Sequence, residues 1–135
     1  MASTVTRILI ADDHPLVRGA LAQAVAAPEA EILEAGDLEG VTRIFAAGTD
    51  IDLILLDLAM PGVRGFSGLM YLRAEHPEVP VVVVSANEDR AVMRRCIDFG
   101  ASGFVPKTTP IEGMREAVRK VLDGEIWTPP DVDLS

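Results

Sequence analysis

The sequence predicts an α/β fold in which five strand–helix units build a parallel sheet with helices on both faces. Short apolar runs alternate five times with longer segments whose apolar residues recur at helical spacing. The short runs are almost continuously apolar, which is typical of parallel strands buried on both faces. Proline, glycine and capping residues separate the segments, and the crossovers are expected to be right-handed, so the pattern indicates a doubly wound sheet.

The five predicted strands are short runs of aliphatic and β-branched residues. This composition suits the pleated interior of a sheet, and each run is too short for an independent helix. In chain order the predicted strands are Arg7–Ala11, Glu31–Ala35, Leu53–Leu56, Val81–Val84 and Gly103–Val105.

The first two predicted helices are defined by the residues at their ends. Pro15 suits the first turn of a helix, and Pro28 stops the apolar periodicity that follows it. Asp37 is expected to cap the second helix, and Gly48 closes it.

The last three predicted helices follow the same logic. The third occupies Phe66–Glu75, and the fourth follows Asn87 and ends at Gly100. Thr109 is expected to cap the fifth helix, with Pro110 in its first turn.

Composition limits the classes of function. The chain has 135 residues, of which 49% are hydrophobic and 24% charged, as is usual for one compact domain. The net charge of -9 argues against a nucleic-acid-binding surface, which needs clustered Lys and Arg. A single cysteine, Cys96, excludes an internal disulfide and fits a reducing compartment. The apolar runs are too short to cross a bilayer and the N-terminus lacks signal-peptide order, so we expect a cytoplasmic domain without membrane contact.

Polar side chains follow the apolar strands at what becomes one edge of the predicted sheet. Asp12 and Asp13 follow the first strand, Asp57 the third, Ser85 the fourth and Lys107 the fifth. Ligands of open α/β sheets bind at the carboxyl ends of the strands, where these side chains converge. Two carboxylates about 5 Å apart repel by roughly 3 kcal/mol at an effective dielectric near 20, so three of them need a cation. Mg²⁺ suits such oxygen ligands and leaves one carboxylate free as a nucleophile toward phosphorus.

Four motifs carry a resemblance to a known family. They are Ala11–Pro15 (ADDHP), Leu56–Gly62 (LDLAMPG), Ser85-Ala86 and Gly103–Lys107 (GFVPK). In this order and spacing they resemble the signature of two-component response-regulator receiver domains, and most closely receivers of NarL/LuxR-type (FixJ-like) transcription regulators. The resemblance covers nearly the whole chain and implies a flavodoxin-like strand order, 2-1-3-4-5.

The resemblance implies roles for the acidic residues. Asp57 matches the phosphorylated aspartate, so it is the expected phosphoryl acceptor. Asp12 and Asp13 match the acidic pair that binds Mg²⁺, with Asp13 preferred as the direct ligand. Asp57 and the main-chain carbonyl of Ala59 are expected to complete the protein's share of the metal ligands.

The resemblance also implies a conformational switch. Lys107 matches the lysine that contacts the phosphoryl group, Ser85 the switch hydroxyl and Phe104 the switch aromatic. The family often has proline directly after the lysine, joined by a cis bond, whereas Thr108 stands there in this chain. A histidine kinase is the implied phosphoryl donor, and altered self-association as a homodimer or release of an effector is the implied output. The chain is thus expected to be a signalling domain that catalyses only its own phosphoryl transfer and dephosphorylation.

The expected domain organisation has two parts. Residues 1–125 form the predicted receiver, and residues 126–135 begin a linker, because Pro129-Pro130 cannot continue a helix. By resemblance, the linker leads to a C-terminal helix-turn-helix domain that this chain lacks, so DNA is expected to be contacted only through that absent domain.

Three alternative functions share some of these sequence features. A haloacid-dehalogenase-type phosphatase also uses a strand-end aspartate and Mg²⁺, but it needs a second acid two residues later, where Ala59 stands. A phosphorylation-independent pseudo-receiver that acts as a dimerisation module would not need the acids or Lys107. Flavodoxin-like cofactor binding is disfavoured because no phosphate-binding loop follows the first strand.

Overall fold

The computed structural model of the protein describes residues 5–62, 65–130 and 132. Strands and helices alternate along the described chain. The strands are β1 (Thr6–Ala11), β2 (Ala30–Ala35), β3 (Leu53–Asp57), β4 (Val81–Ser85) and β5 (Gly103–Pro106). The helices are α1 (Pro15–Val25), α2 (Leu38–Ala46), α3 (Ser67–Glu75), α4 (Arg90–Asp98) and α5 (Ile111–Leu122).

The sheet is parallel and its strands lie in the order β2-β1-β3-β4-β5, which confirms the predicted fold class. β2 is added on one side of β1, and β3, β4 and β5 are added on the other side. Doubly wound folds form their ligand crevice at this switch point, between β1 and β3. β3, β4 and β5 each extend one residue beyond the predicted end. Asp57, Ser85 and Pro106 are therefore strand residues whose positions the sheet itself holds.

Alternate strand residues enter two separate cores, one on each face of the sheet. On one face, strand residues pack with α2, α3 and α4; the set includes Leu9, Ile54, Leu56, Val83, Phe104, Val41, Leu69, Leu72, Met93 and Cys96. On the other face they pack with α1 and α5; the set includes Ile8, Ile10, Leu55, Val84, Val105, Leu21, Val25, Ala117, Val118 and Val121. Coverage of both faces explains why the strands read as continuous apolar runs.

The helix starts confirm one predicted cap and correct another. The Asp37 side chain accepts a hydrogen bond from the Gly40 N–H at 2.7 Å, as expected of a capping residue. The predicted cap at Thr109 is wrong by one residue, because Pro110 occupies the N-cap position with extended backbone and α5 begins at Ile111. The Thr109 N–H is instead used in a turn, where it donates to the carbonyl of Pro106 at 2.9 Å.

The segment after α5 returns to the sheet. Trp127 is 7% exposed, belongs to the core shared by α1 and α5, and forms a parallel bridge with Gly103. The division into a receiver at residues 1–125 and a linker at 126–135 stays a prediction, and part of that linker, residues 131 and 133–135, lies outside the described residues. Within the described ranges, no helix is long and apolar enough to cross a membrane, and no peptide bond, including Lys107–Thr108, is cis.

Candidate functional site

The predicted site residues meet at the carboxyl edge of the sheet. Asp12 directly follows β1, Asp57 and Ser85 end β3 and β4, and Lys107 directly follows β5. The pairing of Ala11 with Leu56 sets the last residue of β1 beside β3. Because parallel strands end at one edge, residues far apart in sequence become neighbours there.

An acidic cluster occupies the crevice between β1 and β3. Asp12 and Asp57 are only 1% and 3% exposed, whereas the Asp13 side chain is 31% exposed. Ligand-type atoms of Asp12, Asp13, His14 and Asp57 all lie within 4.8 Å of one another. Carboxylates this close and this buried repel strongly unless a cation lies among them.

Three carboxylate oxygens of the cluster fit a metal ion. Among the described residues, no hydrogen bond is donated to the buried Asp12 Oδ2, Asp13 Oδ1 and Asp57 Oδ2, although each lies within 3.5 Å of the Lys107 ammonium or the His14 ring nitrogen. Buried polar atoms are usually hydrogen-bonded, so three such oxygens in one cluster have the capacity to bind a cation. A hard divalent cation such as Mg²⁺ prefers carboxylate oxygens and keeps several waters, which the partly exposed position of Asp13 permits.

Lys107 supplies the cation that the protein itself places among the buried acids. Its Nζ lies 3.1 Å from Asp12 Oδ2 and 3.5 Å from Asp57 Oδ2. One ammonium therefore faces two carboxylates, and Asp13 adds a third, so the cluster keeps an excess of negative charge. That excess of negative charge favours binding of a further cation. The Lys107 ammonium is also a suitable partner for the oxygens of a bound phosphoryl group.

Asp57 is oriented by the loop that follows it. Its Oδ1 accepts a hydrogen bond from the Ala59 N–H at 3.1 Å, and its Oδ2 faces Lys107. The loop is anchored further on, where the Leu38 N–H donates to the carbonyl of Pro61 at 3.2 Å. Gly62 has a φ of +86° and approaches Leu38 so closely that a Cβ would lie 3.0 Å from the Leu38 Cβ, which explains why glycine stands there.

Ser85 lies at the site, and Phe104 does not. The Ser85 hydroxyl accepts a hydrogen bond from the Asn87 N–H at 3.0 Å, and the Ser85 carbonyl accepts one from the Lys107 N–H at 2.8 Å. Phe104 is fully buried in the core on the α2, α3 and α4 face, with Met93 and Cys96. The structure thus places Ser85 at the end of β4, the strand next to the one that ends in Asp57, and Phe104 in the core. The switching roles of both residues and the Ala59 carbonyl as a ligand stay predictions.

Two residues support the acidic turn, and the role of one of them, Arg18, was missed from the sequence. Arg18 donates from Nη1 to the main-chain carbonyl of Asp12 at 2.8 Å and pairs through Nε with Glu34 at 3.1 Å. His14 donates its N–H to Asp12 Oδ1 at 2.8 Å, and its Nδ1 lies 3.1 Å from Asp13 Oδ1. Arg18 is the one charged residue of α1 and lies in its first turn, which was the available signal.

The chain is similar to known response regulators. It matches the family described as the response regulator receiver domain over residues 8–119. It is 44% identical over 128 residues to the glycerol metabolism activator of Pseudomonas putida, an alignment that covers 93% of this chain and 58% of the relative. It is 35% identical over 125 residues to the nitrate/nitrite response regulator protein NarP of Escherichia coli K12, covering 90% of this chain and 57% of the relative. The chain therefore spans less than two thirds of the length of these curated relatives.

The fold is also similar to that of a solved response regulator. The crystal structure of a LuxR family DNA-binding response regulator from Silicibacter pomeroyi superimposes with a TM-score of 0.84 at 29% identity. The alignment covers 95% of this chain and 100% of that one.

Proposed function

The chain belongs to the family of response regulator receiver domains, and on that basis we propose that Asp57 accepts a phosphoryl group from a histidine kinase. The observation that carries this proposal is the state of the Asp57 carboxylate. It is buried, one oxygen has no hydrogen-bond partner among the described residues, and that oxygen lies 3.5 Å from the ammonium of Lys107. A buried, oriented and incompletely paired carboxylate beside a cation is prepared to act as a nucleophile toward phosphorus.

The proposed metal site uses Asp12, Asp13, Asp57 and the Ala59 carbonyl. When bound there, Mg²⁺ would neutralise charge on the transferring group and on the acids around it. The Ala59 N–H holds Oδ1 of Asp57, which leaves Oδ2 to attack. Oδ2 forms the new bond to phosphorus, the phosphorus–nitrogen bond of phosphohistidine breaks, and its electron pair returns to the imidazole ring.

Lys107, Ser85 and Phe104 respond to the phosphorylated Asp57. Lys107 pairs with the new phosphoryl oxygens, and the Ser85 hydroxyl turns from the Asn87 N–H toward them. Phe104 then turns into the space that Ser85 leaves, which shifts the equilibrium between two states of the α4, β5 and α5 face. The catalysed chemistry is limited to the domain's own phosphoryl transfer and dephosphorylation.

The proposed output is transcription regulation by a cytoplasmic protein. The curated relatives are longer than this chain and include named response regulators. The receiver would act through self-association or through release of an attached helix-turn-helix domain, which alone would contact DNA. The acidic balance of this chain, -9, is consistent with an indirect role in DNA binding.

The experiment incubates the 135-residue chain with acetyl phosphate and Mg²⁺ and measures its intact mass. Wild type is expected to gain one phosphoryl group, and chelation of Mg²⁺ is expected to prevent the gain. Asp57→Asn is expected to gain none, whereas the matched control Asp50→Asn, at an exposed aspartate before β3, behaves as wild type. No gain by wild type would support the pseudo-receiver, and turnover of a small phosphate ester would support the phosphatase.

A further inference from the structure

The segment after α5 lies along the outer edge of β5 and is here called the C-terminal strap, residues 125–130. Gly103 and Trp127 form a parallel bridge. The Trp127 N–H donates to the carbonyl of Ser102 at 3.0 Å, and the Phe104 N–H donates to the carbonyl of Trp127 at 3.1 Å. The strap therefore pairs with the edge strand that carries Phe104 and leads into Lys107.

The side chain of Trp127 fastens the strap to α5 as well. It is 7% exposed and packs in the core that contains Val105 and Val118. Its indole N–H donates to Glu116 Oε1 at 3.3 Å. The main chains of Gly103 and Trp127 also lie close together. A Cβ at position 103 would lie 3.1 Å from the Trp127 carbonyl oxygen, so a larger residue there would push the strap away from β5. The strap is thus held by its main chain to β5 and by its side chain to α5.

We infer that Trp127 is a positioning residue for β5 and that phosphorylation of Asp57 loosens the C-terminal strap. Phe104 connects the two sides of the sheet: its ring lies in the α2, α3 and α4 core, and its N–H is bonded to the strap. We expect the main chain of β5 to follow Phe104 toward the site, which displaces the N–H that donates to the Trp127 carbonyl. The strap is held to β5 by a single bridge, whereas β4 pairs with β5 over four residue pairs, so the strap gives way first.

This inference rests on the proposed function, because the phosphorylated state drives the change. Its consequence is that the segment following the strap receives the signal through main-chain hydrogen bonds. The strap is then bound to β5 in the unphosphorylated state and loosened in the phosphorylated state, next to the position where an effector would be connected.

The test uses Trp127 as its own reporter, because it is the one tryptophan of the sequence. Emission and quenching by acrylamide are recorded before and after phosphorylation, with the phosphorylated fraction measured by intact mass. Acrylamide is neutral, so the acidic surface does not repel it. We expect emission to shift to longer wavelength and quenching to rise in proportion to the phosphorylated fraction, with no change in Asp57→Asn. Hydrogen exchange of the Phe104 amide should accelerate about fivefold, as for the loss of one net hydrogen bond.

A glycine pair separates this role from general stability. Gly103→Ala is expected to raise quenching before phosphorylation and to reduce the later change. Gly19→Ala, where a Cβ meets nothing within 4 Å, should behave as wild type. If wild type gains the phosphoryl group and neither Trp127 emission nor Phe104 exchange changes, the inference is overturned while the proposed function stands. If no phosphoryl group is gained, the proposed function itself fails.

Discussion

Replacement of Asp13 by asparagine should stabilise the metal-free protein and weaken its response to Mg²⁺. Its carboxylate is placed within 4.8 Å of ligand atoms of Asp12 and Asp57 and is 31% exposed. At an effective dielectric near 20, one carboxylate pair at that distance repels by about 3.5 kcal/mol. Solvent screens a partly exposed group, so we expect Asp13→Asn to raise the free energy of unfolding by about 1–2 kcal/mol when Mg²⁺ is chelated.

Mg²⁺ should cancel most of the stability advantage of Asp13→Asn. A cation at a concentration one hundred times its Kd stabilises the folded state by about 2.7 kcal/mol. A tenfold weaker affinity in Asp13→Asn removes about 1.4 kcal/mol of that gain. The assay is urea unfolding of wild type, Asp13→Asn and the control Asp50→Asn, each with chelator and with Mg²⁺. A variant that is less stable than wild type in chelator, or that gains as much from Mg²⁺, would refute the electrostatic reasoning.

Three further predictions concern Lys107, Cys96 and Arg18. Lys107→Met leaves two buried carboxylates without their cation and should cost about 3 kcal/mol of unfolding free energy in chelator, with a smaller loss in Mg²⁺; an equal loss in both urea titrations would contradict this. Burial raises the pKa of the Cys96 thiol to about 11, so a thiol reagent should label folded protein at mildly alkaline pH far more slowly than urea-unfolded protein, and equal rates would count against the buried position. Arg18→Gln removes the donor to the Asp12 carbonyl and should weaken Mg²⁺ binding about fivefold in calorimetric titration, the equivalent of one net hydrogen bond. The control Glu34→Gln, which breaks only the more exposed pair, should stay near wild-type affinity, and unchanged affinity in Arg18→Gln would show that Arg18 does not position the turn.

The parts of the fold that depend on local patterns could be predicted from the sequence. Continuous apolar runs and their punctuation gave the strands and helices, and the strand ends placed Asp12 and Asp57 at one edge because parallel strands share an edge. Asp37 as a cap was predictable because its carboxylate satisfies an N–H within three residues.

The parts that depend on long-range contacts could not be predicted. The pairing of Trp127 with Gly103 could not be predicted, because the two residues are far apart in sequence and the nearby Pro129-Pro130 gives no sign of it. Arg18 contacts the turn only after α1 has packed against the sheet, so helical periodicity gives no sign of its partner. The start of α5 lies one residue later than predicted, because Thr109 takes part in a turn with Pro106 instead of capping the helix.

The most direct measurement of the central claim is identification of the modified residue. The protein is phosphorylated with acetyl phosphate and Mg²⁺, reduced with borohydride, which converts an aspartyl phosphate to homoserine, and digested for peptide mass spectrometry. The account predicts a single converted residue, Asp57, in a yield that matches the intact-mass gain. Conversion of Asp12 or Asp13 in place of Asp57, or phosphate recovered on a serine or threonine, would contradict it.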